Sequence, residues 1–237
     1  MDHTGYITLT RQSGLMREMQ VVAHNIANAA TTGYRQEGMV FSEYVQRMRE
    51  APSVSMGYGN AGGTSQVQGP LTETGGRFDL AIEGDGYFLI ETPDGDRMTR
   101  AGNFTPNAAG DLVTMDGLRV LDAGGAPVFV PPGVTDLTIA SDGTISADGQ
   151  LVGQIGVYLP TDQTLMRREA GVLLVADTEI EPAENAQVLQ GFLEGSNVEA
   201  ISQMARIIEV QRAYELGQSF LDAENERIRE AIRTLTR

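Results

Sequence analysis

Cysteine, lysine and tryptophan are absent from this 237-residue chain, and histidine occurs only twice. Without cysteine there is no disulfide framework, no thiolate metal site and no catalytic thiol. With only His3 and His24 as imidazoles, a multi-histidine metal centre or a Ser-His-Asp triad has almost nothing to be built from. The missing lysines leave 17 arginines against 32 acidic residues and a net charge of −15. Such a chain offers no basic patch for phosphates, which argues against nucleic-acid and anionic-membrane partners. No stretch approaches the roughly 20 apolar residues needed to cross a bilayer, so no transmembrane segment is expected. The N-terminus also lacks a basic segment followed by a continuous apolar run, so export, if it occurs, is expected without a cleaved signal peptide.

What is present lies at the two ends. Leu15, Met19, Val22 and Ile26 recur at spacings of four, three and four, one stripe of a helix predicted from about Tyr6 to Thr31–Gly33. At the other end Ile207, Val210, Tyr214, Gly217, Leu221, Glu224, Ile228, Ala231 and Leu235 alternate three and four without a slip, as a coiled-coil seam requires. Packing of amphipathic helices on their own core also produces such stripes. A helix from Asn197 to Thr234, however, would run about 55 Å at roughly 1.5 Å per residue, and is expected to need a partner beyond its own domain. Ser196 and Glu199 have capping-box spacing at its start.

Composition sets the middle apart. All nine prolines and 23 of the 28 glycines fall between residues 51 and 195, which excludes long helix there and demands turns. Charge follows the same division: residues 1–50 are neutral, 51–195 carry −14 and 196–237 carry −1. Near-neutral ends can pack against copies of themselves, while an acidic middle stays solvated. From Phe78 onward come short alternating runs, bounded by Asp85-Gly86, Asp94-Gly95, Asp116-Gly117, Asp142-Gly143 and Asp148-Gly149, the pairs that hairpin turns prefer. A compact antiparallel β domain is predicted, with its last strand at Val172–Ala176. The Gly- and Ser/Thr-rich stretch Pro52–Pro70 suits an extended linker or loop.

Sites for chemistry fail one by one. Gly57-Tyr58-Gly59-Asn60-Ala61-Gly62 matches a dinucleotide fingerprint, but no hydrophobic strand precedes it and no helix pattern follows. Most central aspartates stand beside glycine, where a turn accounts for them without paired acid-base work. Asp94-Gly95-Asp96 lacks the spaced oxygen ligands of a calcium loop. No catalytic, cofactor-binding or metal residue is therefore assigned.

The segment Val22-Ala23-His24-Asn25-Ile26-Ala27-Asn28-Ala29-Ala30-Thr31-Thr32-Gly33-Tyr34-Arg35 resembles the N-terminal signature of the bacterial flagellar rod and hook proteins. In that signature an Asn-Ile-Ala-Asn or Asn-Leu-Ala-Asn core precedes a Gly-aromatic turn; His24 departs from the asparagine often found at its position. Leu193-Glu194-Gly195-Ser196-Asn197-Val198 and Gln211-Arg212-Ala213-Tyr214-Glu215 resemble the paired C-terminal signature of the same proteins. Between them, Leu80–Phe88 and Thr99–Thr105 are similar to the β-domain motifs of the rod members, so the likeness covers nearly the whole chain. Its length and Met1-Asp2 opening are most similar to the proximal-rod members, with distal-rod members as the alternative.

The expected fold is α+β: long N- and C-terminal helices pairing as a coiled coil, with a central antiparallel β domain. The expected division is residues 1–33 with 196–237 as a helical axial core, 34–75 and 177–195 as connecting linkers, and 76–176 as the β domain. The resemblance implies a structural rod subunit of the flagellar basal body, not an enzyme and without cofactor. It further implies assembly with copies of itself and with other rod proteins to transmit torque, export through the flagellar type III apparatus, and a place in the rod spanning the periplasm. The assembly interface is expected to include Leu15, Met19, Val22, Asn25, Ile26, Asn28, Asn197, Ile207, Val210, Gln211, Arg212, Tyr214, Leu221, Ile228 and Leu235. Two other classes fit the composition, a secreted β-domain adhesin on a helical stalk and a hydrolase using acidic residues of the β domain. Seven tyrosines, seven phenylalanines and no tryptophan weigh against carbohydrate stacking.

Overall fold

The computed structural model describes residues 3–46 and 54–235. The chain divides into two compact units, one of residues 1–27, 37–63 and 199–237, the other of residues 28–36 and 64–198. The class is α+β, with two helices and a mostly antiparallel β domain.

The first unit contains α1 (His3–Ala27), β1 (Glu37–Gln46), β2 (Val54–Thr64) and α2 (Ala200–Leu235). β1 and β2 pair as a two-stranded sheet, although this part of the chain is expected to be linker. In sequence Val54, Met56 and Tyr58 alternate with Ser55, Gly57 and Gly59, a pattern diluted by the glycines of β2. The fingerprint-like run Gly57–Gly62 is therefore strand, as backbone rich in glycine can be. Pro52 and Ser53, the start of the expected linker, lie outside the described residues.

Side chains of α1 and α2 meet at three levels. Asn25 Nδ2 donates to Gln203 Oε1 at 3.4 Å, Arg206 Nε to Glu18 Oε1 at 2.7 Å, and Gln12 Nε2 to the Tyr214 carbonyl at 2.8 Å. Partner numbers fall along α2 as they rise along α1, so the helices run antiparallel. Val21, Val22 and Val210 are buried. Gly217 permits the close approach, since a Cβ there would stand 2.2 Å from Gln12 Nε2. Much of the apolar stripe of α2 thus faces α1 within the same unit, where a partner beyond its own domain is expected from its length.

Both helix boundaries differ from expectation. α1 ends at Ala27 and not at Thr31–Gly33; Thr31 Oγ1 donates to Asn28 Oδ1 at 3.1 Å, a local polar contact that competes with helix continuation. α2 begins at Ala200. Ser196 Oγ accepts the Val198 N–H at 3.2 Å, a turn ahead of the helix, so the Ser196–Glu199 pair is not a capping box.

The second unit carries β3 (Leu71–Glu73), β4 (Leu80–Glu83), β5 (Tyr87–Thr92), β6 (Gly95–Thr99), β7 (Thr105–Pro106), β8 (Leu112–Val113) and β9 (Leu137–Ile139). These are followed by β10 (Thr144–Ala147), β11 (Gln150–Gln154), β12 (Val157–Pro160), β13 (Met166–Ala170), β14 (Leu173–Ala176), β15 (Ile180–Pro182), β16 (Gln187–Gln190) and β17 (Phe192–Glu194). Its largest sheet has the order β13-β14-β6-β5-β12-β15. β5 explains the packing. Phe88 and Ile90 enter one core with Leu80, Ile82, Phe104 and Ile145, while Tyr87 and Leu89 enter a second with Met98, Met166 and Leu174. Successive side chains point to opposite faces, so four consecutive apolar residues are needed where both faces are covered.

The Asp-Gly turns behave as their chemistry requires. At the β10–β11 hairpin Asp148 and Gly149 adopt φ of 48° and 78°, the positive values that a two-residue turn of this type needs. Strands continue beyond Ala176, contrary to expectation: β15 extends the large sheet, β16 pairs with β4 and β17 with β3. The expected linker 177–195 is therefore sheet. Its strands are three or four residues long, too short for periodicity to reveal.

Candidate functional site

Each terminal signature builds a polar cluster. In the first unit Asn25 is buried, and its amide pairs with the backbone of Glu37 in both directions: Nδ2 donates to the Glu37 carbonyl at 2.9 Å and Oδ1 accepts the Glu37 N–H at 2.9 Å. A side chain thus does what a neighbouring strand would do, fixing the first residue of β1 against α1.

The second unit contains a denser cluster. Glu194, wholly buried at the end of β17, receives Arg35 Nη2 at 2.8 Å, Arg100 Nη1 at 3.1 Å and the Gly69 N–H at 3.1 Å. Both guanidiniums are also almost fully buried. The positive charge in excess is met by carbonyl oxygens: Arg35 Nη1 donates to Gln66 O at 2.7 Å and Val67 O at 2.6 Å, and Arg100 to Ile82 O at 3.1 Å and Gly84 O at 2.7 Å. Arg168 lies over the Tyr34 ring at 4.1 Å, a cation–π arrangement, and donates to Arg35 O at 2.6 Å. Asn197 completes the frame, its Oδ1 accepting the Gln36 N–H at 2.6 Å and its Nδ2 donating to Val67 O at 2.7 Å. Six chain segments, residues 34–36, 66–69, 82–84, 100, 168 and 194–197, are tied together around one carboxylate.

Glycines make this crossing possible. Gly33 has φ of 69°, donates to Glu194 O at 2.7 Å, and lies so near Ala101 that a Cβ would come within 2.1 Å of its nitrogen. Burial lowers Arg100 from its ordinary value while the Glu194 carboxylate pulls the other way; an arginine so placed remains charged. Burial likewise raises the Tyr87 phenol, against the opposing pull of Arg35 and Arg100.

This arrangement holds backbone in place. A cleft of about 280 Å³ elsewhere in the β unit brings one carboxylate, Asp116, among Thr31, Asn103 and Thr114. Paired acid-base work needs two. Among the described residues no three His, Cys, Asp or Glu side chains gather to hold a metal ion.

The expected assembly residues separate into groups. Val22, Asn25 and Val210 are buried, and Leu15, Met19, Ile26, Ile207, Tyr214 and Leu221 half-buried, within the first unit. Asn28 and Asn197 belong to the second unit. Gln211 and Arg212 are exposed, as is Ile228; the side chain of Leu235 lies outside the described residues. The stripe expected to face other subunits therefore faces α1 over much of its length. A different apolar set on α2 is open to solvent: Ile201, Met204, Ile208, Leu216 and Phe220.

The family description "Flagellar hook protein FlgE/F/G D1 domain" matches residues 81–147, and "Flagellar basal body rod FlgEFG protein C-terminal" matches residues 189–234. The chain is 39% identical to the flagellar basal-body rod protein FlgF of Caulobacter vibrioides, covering 99% of this chain and 98% of that one. The chain belongs to the flagellar basal-body rod protein family. It is 36% identical to FlgF of Mesorhizobium japonicum over 99% of this chain and 98% of the relative. Another relative, the flagellar basal-body rod protein FlgG of Agrobacterium fabrum, is 32% identical over 93% of this chain and 94% of that one.

Family membership makes this chain a structural protein of the flagellar basal body, not an enzyme, and most like FlgF. Both matched segments of the rod family touch the cluster: Arg100 falls in the first and Glu194 in the second. Sequence reasoning missed Arg35, Arg100 and Arg168. The available signal was indirect, a charged residue set among apolar or glycine neighbours in Tyr34-Arg35 and Thr99-Arg100-Ala101-Gly102.

Proposed function

We propose that this chain is a subunit of the proximal rod, self-assembling through its terminal helices into an axial core that transmits torque, with its acidic β unit turned to solvent. The observation that carries this reading is the second apolar face of α2. Ile201, Met204 and Ile208 recur at spacings of three and four and are 79%, 53% and 49% exposed. They lie opposite the residues that face α1, so neither the chain's own core nor α1 accounts for them. A helix with apolar residues on two sides is built for two partners. One is α1, in a seam that the three-four spacing suits to a coiled coil; the other is a neighbouring subunit. The near-neutral charge of the ends and the −14 of residues 51–195 favour the same division.

On this reading the chain is exported through the flagellar type III apparatus and takes its place in the periplasm among other rod proteins. Among the described residues no helix is long and apolar enough to cross a membrane. The distal rod is the second reading, favoured by the 32% identity to an FlgG. Ile208→Asp tests the shared claim. The variant is expected to fold, because the position is exposed, and to fail to enter basal bodies; normal incorporation and motility would contradict it.

A further inference from the structure

The cleft of about 280 Å³ in the β unit is built by four segments that the framework around Glu194 leaves open on this side. They are the loop after α1 at Thr31 and Thr32, the stretch from Thr99 to Asn103 at the end of β6, the turn from Thr114 to Leu118 after β8, and the β13–β14 turn at Gly171. Ala101, Leu118, Val172 and Leu173 give it an apolar wall, and Met115 stands beside them 73% exposed.

The polar part of the lining is short of partners. Among the described residues the side chains of Thr32, Asn103 and Asp116 make no hydrogen bond. Asn103 is open on its main chain as well. Its bridge to Asp79 is flanked by the Phe104 N–H donating to Phe78 O at 3.3 Å and the Leu80 N–H donating to Gly102 O at 2.9 Å. That pattern puts the N–H and C=O of Asn103 itself on the edge away from Asp79.

Elsewhere in the chain asparagines so placed are spent on backbone. Asn25 takes both main-chain groups of Glu37, and Asn197 takes the Gln36 N–H and the Val67 carbonyl. In each case a carboxamide does the work of a neighbouring strand. Asn103 offers the same groups, and no such segment meets it among the described residues. Charge narrows what does. Asp116 is the one charged residue of the lining; Arg168 lies behind it, donating to Gly171 O and Arg35 O, and residues 51–195 carry −14.

We infer that this cleft binds an extended peptide segment of a partner protein, with one backbone amide unit against Asn103 and an adjacent basic side chain on Asp116. The stem of an arginine or lysine covers apolar wall while its head group reaches the carboxylate. Main-chain hydrogen bonds supply the affinity and the charged end the specificity, as when a strand adds to a sheet edge. The site lies wholly within the β unit and needs neither terminal helix, so it goes beyond the self-assembly proposed above.

Heteronuclear NMR on the isotope-labelled full-length chain tests this, with the capped pentapeptide Ala-Val-Arg-Val-Ala as probe. A saturable shift of the Asn103 side-chain amide is expected, together with the Thr32 and Asp116 N–H signals, at a Kd on the order of 1 mM. Asn103→Leu and the exposed Asp116→Asn should each weaken binding about tenfold. Replacing the arginine of the probe by norleucine should cost the native chain the same factor and cost Asp116→Asn nothing, since both changes remove one contact. Should Asn103→Leu fail to fold, the Asp116→Asn and norleucine arms carry the test. Four results would overturn the inference: signals that stay fixed at about ten times that concentration; variants that bind as the native chain does; the same shifts from concentrating the chain alone, which would make the occupant a second copy; or the same shifts from maltose, which offers hydroxyls without a peptide unit.

Discussion

Removing the Glu194 carboxylate should be among the most damaging single changes to the β unit. In Glu194→Ala, two guanidiniums that are almost fully buried lose their counter-ion, and the buried Gly69 N–H loses its acceptor. Breaking a buried ion pair from one side costs about 3–5 kcal/mol, because the remaining charge is left uncompensated. Against a total stability of about 5–15 kcal/mol that is a large share, and in a unit of this size it lowers Tm by roughly 10 °C. Glu194→Gln keeps the shape and one acceptor and should fall between, at about 2–3 kcal/mol. Near-UV circular dichroism is the suitable probe, since Tyr34 and Tyr87 border the cluster. Urea titrations of the three proteins supply the free energies. A loss below about 1 kcal/mol for Glu194→Ala, the range of a solvated surface pair, would refute the assignment of the cluster as a buried fastening.

Three further outcomes follow from the geometry. Gly33→Ala should cost more than about 2 kcal/mol, since it meets both a left-handed backbone and the Ala101 nitrogen at 2.1 Å; Gly217→Ala, whose obstacle is the movable end of Gln12, should stay within about 1 kcal/mol because helix propensity offsets it, and chemical denaturation of both variants separates the cases. Burial raises Tyr87, and a group whose folded-state value is raised stabilises the fold below its unfolded value and loses that contribution as pH climbs; stability should decline above about pH 10, and Tyr87→Phe should flatten the decline in alkaline melts, whereas an unchanged slope would contradict it. Leu221→Asp should destabilise the helices of the free chain by about 2 kcal/mol or more, visible in far-UV dichroism, because Leu221 is half-buried on the stripe facing α1; a fully stable monomer would return this residue to an intersubunit role alone.

How far the sequence anticipated these features depends on the physical range of each signal. The helices were legible because Leu15 to Ile26 and Ile207 to Leu235 repeat over many turns, and the β hairpins because Asp-Gly pairs carry a backbone requirement in two residues. The identity of the partner was not: Ile207, Val210 and Tyr214 have the same spacing whether α1 or another subunit covers them. The short strands β15 to β17 were hidden, since two or three alternations are no pattern, and β2 was hidden by glycine. Of the polar framework, Asn25 and Asn197 were singled out by their motifs, yet their backbone partners at Glu37 and Val67 are fixed only by tertiary structure. The link between Arg35, Arg100 and Glu194 spans most of the chain, and nothing local announces it.

The central claim is that this chain is a structural part of the rod, and electron cryotomography of basal bodies in cells lacking it tests that most directly. Compared with the parent strain, the account predicts a truncated or missing rod, restored by the native chain. A rod and hook of normal length in the deletion strain would contradict it.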